Sequence, residues 1–335
     1  MTKIRIHYIS NEKWGRYHQP WFNKFSEYLK SMFSVEVIDY NLDGKTFSAK
    51  INLQTEVGQF GKNPPLSDVD CVIENIENGE FFVITFGKYF CSYVVHYLKS
   101  DKCLGILSAH HSQRFLYNNL KKNNLLNKLD KVHPFIFGFF KDFDVDFYRE
   151  IRDNTENLNE NLYFKGGGCK GDYDKMYRKV IKHLYDEKLL DPSTLPFEKY
   201  LNELSQQKIA VSHYMDVDKF NSANEHPGEL CYRDIEMMSI GVPYIRIEYK
   251  SEIHEAFKPN YHYIVIPRET AYVTFKEKGH EGVAKLFKDK YNEVKNDNDF
   301  LNFISRNQRL WYDTHMRWPK SAQLVVNKLN LNKWI

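Results

Sequence analysis

The hydrophobic positions of the chain form short β-branched or aromatic runs that alternate with longer stretches of helical spacing. Five such runs in the first half predict strands, at residues 4–9, 35–40, 71–76, 81–86 and 103–109. Between the first two runs, residues 21–33 follow Pro20 and predict a helix. Its predicted apolar face carries Phe22, Phe25, Tyr28, Leu29 and Met32. Strands that alternate with helices are typical of βαβ units and of a parallel sheet.

The second half repeats the pattern after a polar stretch at residues 141–160, where we expect a domain boundary. Its predicted strands cover residues 162–165, 209–213, 244–247 and 261–266. Its predicted helices cover residues 173–190, 197–204, a segment that opens near residue 229, and 298–329. We therefore predict an α/β fold with two tandem Rossmann-like domains, 1–155 and 156–305, and a C-terminal helical segment, 306–335, that packs back on the first domain.

Composition and charge exclude several classes of protein. The 335 residues include 47 Lys and Arg against 44 Asp and Glu, and these charges are interspersed, so nucleic-acid binding is not favoured. The 5 cysteines form neither a CxxC pair nor a cluster with histidines, which argues against a disulfide framework and a zinc site. We expect no secretory signal, no transmembrane helix and a reducing, cytoplasmic location.

The segment at residues 226–243 carries the richest chemistry. A Pro-Gly turn places Glu229 at the start of a predicted helix, and Glu236 follows 7 positions later on the same face, with Arg233 between them. Two carboxylates can hold the hydroxyls of a ribose or a sugar, while the guanidinium and the helix N-terminus meet a phosphate. An exposed helix with ordinary ion pairs is the alternative.

This segment also carries a resemblance. The pattern Tyr232-Arg233-Asp234-x-Glu236, followed by a Gly-Val-Pro turn, resembles the nucleotide-sugar-binding segment of GT-B glycosyltransferases, especially their exostosin-like branch. The resemblance is clearest over about residues 160–315 and implies a GT-B-like fold. It implies that Glu236 binds the donor ribose and that Glu229, Tyr232 and Arg233 face the sugar and diphosphate. The resemblance also makes Glu229 a catalytic candidate, although many retaining members space their two glutamates eight apart rather than seven.

A glycine cluster at residues 165–171 follows a predicted strand and precedes a predicted helix, as a phosphate-binding loop does. Gly166 lets the backbone approach a diphosphate, and Lys165, Lys170 or Arg178 can neutralise it. The cluster lacks the Gly-Lys-Ser/Thr ending of an ATPase loop and the spacing of a dinucleotide-binding loop. A surface turn is the alternative.

A histidine of the first domain is the candidate general base, because imidazole titrates near neutral pH. His18 is preferred, since we expect it in the loop beyond the first strand. His110 and His111, after the fifth predicted strand, are competing candidates, and Glu56 is a further one.

Together these features predict a glycosyltransferase that moves a hexosyl or pentosyl group from a UDP- or GDP-linked sugar to a glycan or other hydroxyl acceptor. We expect no cofactor and no metal, because the Asp-x-Asp sequences lie before a strand or in the polar stretch. Lys165, Arg178, Arg233 and a helix N-terminus would instead meet the charge of the leaving diphosphate. The alternatives are a sugar-nucleotide epimerase on the same fold and a non-catalytic protein that binds carbohydrate or a partner.

Overall fold

The computed structural model describes residues 2–10, 12–32, 35–41, 69–85, 90–108, 113–134, 143–165, 179–186, 195–212, 232–249 and 257–334. The chain divides into two compact units. Unit 1 comprises Met1–Phe143 and His315–Ile335, and unit 2 comprises Asp144–Thr314. Seven of the candidate site residues lie outside the described residues: Glu56, His110, His111, Gly166, Lys170, Arg178 and Glu229. No helix in the described part of the chain is both long and apolar enough to cross a membrane.

Unit 1 is built on a six-stranded sheet, in which five strands follow the predicted hydrophobic runs and the sixth, at Val132–Pro134, was not predicted. The strands are β1 (Thr2–Ser10), β2 (Val35–Asn41), β3 (Val69–Asn75), β4 (Phe81–Thr85), β5 (Cys103–Ser108) and β6 (Val132–Pro134). Their order in the sheet is β2-β1-β3-β4-β5-β6. Every residue of β4 is buried, as in a central strand covered on both faces.

The sheet of unit 1 is mixed, and the prediction of a parallel sheet was wrong there. Strand β3 runs antiparallel to both of its neighbours, β1 and β4. The reason is a tight turn between β3 and β4, in which the Gly79 amide donates to the Asn75 carbonyl at 2.8 Å. Gly79 has a φ of +73°, which glycine adopts without strain, and Asn-Gly is a strong hairpin signal. The Asn78-Gly79 pair was therefore the signal that the sequence analysis missed.

Helix α1 (Glu12–Met32) is longer than predicted and begins before Pro20. Its buried face includes Phe22, Phe25, Tyr28 and Leu29, as predicted, whereas Met32 in the last turn is 57% exposed and is not part of that face. The expected loop after the first strand is therefore helical, and His18 lies within α1 rather than in a loop. Pro20 predicted a helix start, because proline has no N–H to donate and is favoured in the first turn of a helix. Helix α1 instead continues through Pro20.

Helices α2 (Phe90–Lys99) and α3 (Gln113–Lys122) cover the sheet of unit 1, and a short 3₁₀ helix (Leu126–Lys131) follows them. Apolar side chains from these helices pack on β3, β4 and β5. The fully buried members are Val72, Val83, Val94, Leu98, Cys103, Ile106, Leu116 and Leu120.

Unit 2 contains a smaller, parallel sheet, as the sequence predicts for this half. After α4 (Val145–Asp153), α5 (Lys179–Asp186) and α6 (Phe197–Ser205) come β7 (Ala210–Val211), α7 (Tyr232–Ile240), β8 (Tyr244–Ile247) and β9 (Ile264–Ile266). The three strands pair in the order β7-β8-β9, all parallel. The predicted strand at residues 162–165 is reduced to a single parallel bridge between Tyr163 and Ala210.

Two long helices follow, α8 (Arg268–Val294) and α9 (Asn298–His315). Helix α8 was not predicted, because its many lysines and glutamates leave a weak apolar stripe, and it is kinked at Gly279, whose φ is +63°. Phe287 and Val283 of α8 are nevertheless buried in the core of unit 2, together with Ile245 and Ile264 of the sheet.

The predicted helix at residues 298–329 is in fact two helices, α9 and α10 (Lys320–Leu329), separated around Pro319. Proline disfavours a helical conformation in the residue before it, here Trp318, so one continuous helix does not run through this position. Within unit 1, the Trp318 ring lies edge-on to Trp21 of α1 at 6.2 Å, and Tyr28 of α1 donates to Gln323 of α10 at 2.6 Å. The C-terminal segment of unit 1 thus packs on α1.

Candidate functional site

The candidate site of unit 2 is set by the direction in which its helices run. Helix α7 leads through residues 241–243 directly into β8, so its C-terminus lies at the amino edge of the parallel sheet. Its first turns, with Arg233 and Glu236, therefore point toward the carboxyl edge. Helix α6 precedes β7 in the same way. In open α/β sheets this carboxyl edge is where ligands bind.

The Gly-Val-Pro turn that ends α7 has a structural role. The amides of Gly241 and Val242 both donate to the Met237 carbonyl, at 2.9 and 2.8 Å, and satisfy the end of the helix. Gly241 has a φ of +86°, and a Cβ there would lie 2.8 Å from the Ser305 hydroxyl and would also meet the Arg309 guanidinium. Only glycine fits this position.

Two arginines from neighbouring helices hold the last carbonyls of α7. Arg149 of α4 donates to the Ser239 carbonyl at 2.7 Å, and Arg309 of α9 donates to the Ile240 carbonyl at 2.9 Å. Arg309 also forms a bidentate pair with Asp153, at 2.7 and 2.9 Å. Positive charge at a helix C-terminus is favourable, so these contacts anchor the end of α7 that faces away from the candidate site.

Asp234 points into the interior of unit 2. Its carboxylate is 0% exposed and pairs with the Arg246 guanidinium of β8, which is 1% exposed. The Tyr249 hydroxyl donates to the same carboxylate at 2.7 Å, and the Arg246 guanidinium lies over the Tyr249 ring. The acidic residue in the middle of the motif therefore belongs to a closed ion pair that joins α7 to the sheet.

Arg233 and Glu236 lie one helical turn apart and both contact Tyr200 of α6. The Arg233 guanidinium carbon lies 4.7 Å from the centroid of the Tyr200 ring. The Tyr200 hydroxyl acts on the Glu236 carboxylate and favours its ionised form, which lowers the pKa of Glu236. Glu236 is only 7% exposed, and its Oε2 has no hydrogen-bond partner among the described residues. A buried carboxylate oxygen of this kind is able to accept hydrogen bonds from a ligand.

The ionisation of this cluster follows from its burial. Burial raises the pKa of Glu236, while the Arg233 charge and the Tyr200 hydroxyl oppose that rise. Burial and the Glu236 carboxylate raise the pKa of Tyr200 well above its ordinary value, so the Tyr200 hydroxyl stays protonated and donates. A carboxylate with a perturbed pKa beside an arginine is a physical marker of functional sites.

Lys165 reaches the same helix, α6, one turn further along. It follows the Tyr163 bridge at the carboxyl edge of the sheet, is only 8% exposed, and lies 3.8 Å from the Glu203 carboxylate. Tyr163 in turn stacks on Tyr200, with ring centroids 6.4 Å apart. Helix α6 thus links Lys165, through Glu203, to Arg233 and Glu236, through Tyr200.

The predicted donor-site residues are therefore partly assembled. Lys165, Arg233 and Glu236 all contact α6, while Tyr232 is the first residue of α7 and only its backbone is described. Sequence reasoning missed Tyr200 and Glu203, which come from a helix about 30 residues earlier in the chain. Their signal was the helical pattern at residues 197–204, which shows a helix but not the partner of each side chain.

Comparisons with known proteins identify no family. No protein-family model matches the chain, and no curated protein matches it. Within the described residues, no group of three or more His, Cys, Asp or Glu side chains is placed to hold a metal ion. The class established by the structure is an α/β protein with a mixed sheet in unit 1 and a parallel sheet in unit 2.

Solved structures show partial similarity. The chain matches a crystal structure of TarM with a TM-score of 0.38 and 13% identity, over 79% of this chain and 63% of the TarM chain, which is less than two thirds of that protein. It matches Anabaena Alr3699/HepE in complex with UDP and glucose with a TM-score of 0.41 and 10% identity, over 91% of this chain and 88% of HepE. Both TM-scores are below 0.5.

Proposed function

We propose that this chain is a glycosyltransferase that takes a sugar from a nucleotide-diphosphate donor, bound at the carboxyl edge of the sheet in unit 2. The observation that carries the proposal is the Glu236 carboxylate, buried beside Arg233 and Tyr200 with an unpartnered Oε2 among the described residues. The cost of burying such a group is offset when a ligand supplies the missing hydrogen bonds. A ribose offers two adjacent hydroxyl donors to one carboxylate.

Each donor-binding residue has a proposed role. Glu236 accepts hydrogen bonds from the ribose hydroxyls. Arg233, Lys165 and Arg178 balance the charge of the diphosphate, and Gly166 lets the backbone approach it. The sugar lies toward Tyr232 and Glu229. This assignment follows the exostosin-like pattern of the sequence and places positive charge where negative charge develops on the leaving group.

For the chemical step we propose His18 as the general base of an inverting transfer, because an imidazole can take a proton near neutral pH. The loop position that favoured His18 over His110 and His111 is helical instead, so these two remain its competitors. The acceptor hydroxyl oxygen forms a bond to the anomeric carbon of the sugar while the bond from that carbon to the diphosphate oxygen breaks. The hydroxyl proton passes to His18, and the electron pair leaves with the diphosphate. The transfer is proposed to be metal-independent and cytoplasmic, with a hexosyl or pentosyl group moved to a glycan or other hydroxyl acceptor.

The test is calorimetric titration of the whole chain with UDP- and GDP-linked sugars. The Glu236→Gln variant keeps the shape of the side chain and removes its charge, and we expect it to bind the donor about tenfold to a hundredfold more weakly. The matched control is Glu198→Gln, because Glu198 is an exposed residue of the same helix that carries Tyr200. The control should bind like the wild type. Equal donor affinity in wild type and Glu236→Gln contradicts the proposed site.

The products separate the three candidate functions. Slow release of nucleotide from the donor, accelerated by a hydroxyl acceptor, supports transfer. Interconversion of free nucleotide sugars without release supports the epimerase, and absence of nucleotide binding supports the carbohydrate- or partner-binding protein.

A further inference from the structure

We propose that Tyr200 is the positioning residue of the donor site, holding the Arg233 guanidinium with its ring and the Glu236 carboxylate with its hydroxyl. This inference rests on the proposed function, and it assigns a role to a residue outside the sequence motif. One side chain of α6 fixes two groups of α7 whose charges are opposite and whose proposed ligands differ.

The Tyr200 side chain is itself rigidly held. It is 5% exposed, its ring is stacked on Tyr163 at 6.4 Å, and the Phe197 ring lies 6.3 Å from it. Its backbone amide donates to the Pro196 carbonyl at 2.9 Å, within the first turn of α6. A side chain confined in this way has lost its rotamer freedom on folding, so it orients its partners at little further entropic cost when a ligand binds.

The contacts with Arg233 and Glu236 use different parts of the Tyr200 side chain. The Arg233 guanidinium carbon lies 4.7 Å from the ring centroid, within the range of a cation–π interaction, and this contact needs the ring only. The interaction with Glu236, which lowers the pKa of that carboxyl, needs the hydroxyl only. Removing the hydroxyl and removing the ring therefore have separable consequences.

The charge of Glu236 depends on the groups around it. The groups that act on it are Arg233 and the Tyr200 hydroxyl, which favour its ionised form, and Asp234, which opposes it. Without the hydroxyl, the carboxylate loses one of the two groups that favour ionisation. The Tyr200→Phe variant should therefore protonate Glu236 at a higher pH than the wild type does.

The experiment compares Tyr200→Phe and Tyr200→Leu with wild type in two measurements. Donor affinity, by calorimetry with UDP- and GDP-linked sugars, should fall about threefold to tenfold in Tyr200→Phe and further in Tyr200→Leu, which also loses the ring. A carboxyl-carbon NMR titration of Glu236, assigned by its absence in Glu236→Gln, should show a higher pKa in Tyr200→Phe. Glu198→Gln is the control, since Glu198 is an exposed residue of the same helix and should leave that pKa unchanged.

The outcomes are distinguishable. Unchanged affinity and an unchanged Glu236 titration in Tyr200→Phe overturn the positioning role, even where the wild type binds a donor. A wild type that binds no nucleotide sugar, with a shifted Glu236 titration in Tyr200→Phe, overturns the proposed function and leaves the contact intact. Tyr200→Phe removes one oxygen from a buried site, and its thermal unfolding midpoint verifies that the fold is retained.

Discussion

The carboxylate of Asp234 and the guanidinium of Arg246 form an ion pair that is closed to solvent, with exposed fractions of 0% and 1%. The pair joins α7 to the central strand of the sheet in unit 2. Asp234 is adjacent to Arg233 in the sequence, yet its carboxylate points away from Tyr200. The motif Tyr-Arg-Asp-x-Glu therefore combines a structural residue with candidate ligand-binding ones.

Asp234→Asn should destabilise the protein strongly. The substitution leaves the buried Arg246 charge without its counter-ion, and breaking a buried pair in this way lowers the free energy of unfolding by about 3 to 5 kcal/mol. Chemical denaturation is the measurement. The double variant Asp234→Leu with Arg246→Met removes both charges and should recover most of the loss. A double variant as unstable as Asp234→Asn would show that the charges are not the cause.

The same helix shows why the sequence analysis succeeded only in part. Helical spacing placed Arg233 and Glu236 on one face, and both contact Tyr200. Spacing also places Asp234 about 100° away from Arg233, but nothing local shows that this direction leads into a core containing an arginine. Long-range partners such as Arg246 depend on the packing of separate elements, which periodicity does not encode.

For the fold, strand positions were predictable and strand directions were not. Hydrophobic runs mark buried strands in either direction, and the direction of β3 depends on a turn of a few residues around Gly79. Helix α1 shows the opposite case, because Pro20 signalled a helix start that the surrounding chain overrides.

Gly241→Ala should lower the free energy of unfolding by about 2 to 4 kcal/mol. Alanine is strained in the left-handed conformation of this position, and its Cβ also clashes with neighbouring side chains. The added Cβ meets the side chains of Ser305 and Arg309. Gly79→Ala is the matched control: its φ of +73° is similarly left-handed, but no atom lies within 4 Å of the added Cβ. It should cost only about 1 kcal/mol. Equal losses in the two variants, measured by denaturant unfolding, would exclude the clash at Gly241.

Glu236→Gln should make the protein more stable at neutral pH, although it weakens donor binding. Burial raises the pKa of Glu236, so the folded protein holds the proton more tightly than the unfolded chain does. The protonated Glu236 side chain therefore stabilises the folded protein below the ordinary pKa of a glutamate. This stabilisation is lost as the pH rises through the raised pKa. At neutral pH the amide avoids that loss and should add about 0.5 to 2 kcal/mol. A stability gain at pH 7 that vanishes at about pH 4 fits this account, whereas a loss at pH 7 opposes it.

Donor affinity should fall with acidity, and it should do so at a higher pH than an exposed glutamate would cause. Below its raised pKa, Glu236 carries a proton and no longer presents two free acceptor oxygens to a ribose. The ligand in this experiment is a nucleotide-diphosphate sugar rather than a free nucleoside diphosphate, because its diphosphate has no terminal group that titrates near neutral pH. Calorimetry between about pH 8 and about pH 5 brackets the expected transition.

The Glu236→Gln variant identifies the titrating group in that experiment. Arg233 keeps its charge throughout this range and Tyr200 keeps its proton, while Asp234, which also acts on the pKa of Glu236, is held in its ion pair with Arg246. The variant should therefore bind weakly but with little dependence on pH. A variant that retains the full pH dependence of the wild type would assign the transition to another residue and remove Glu236 from the donor site.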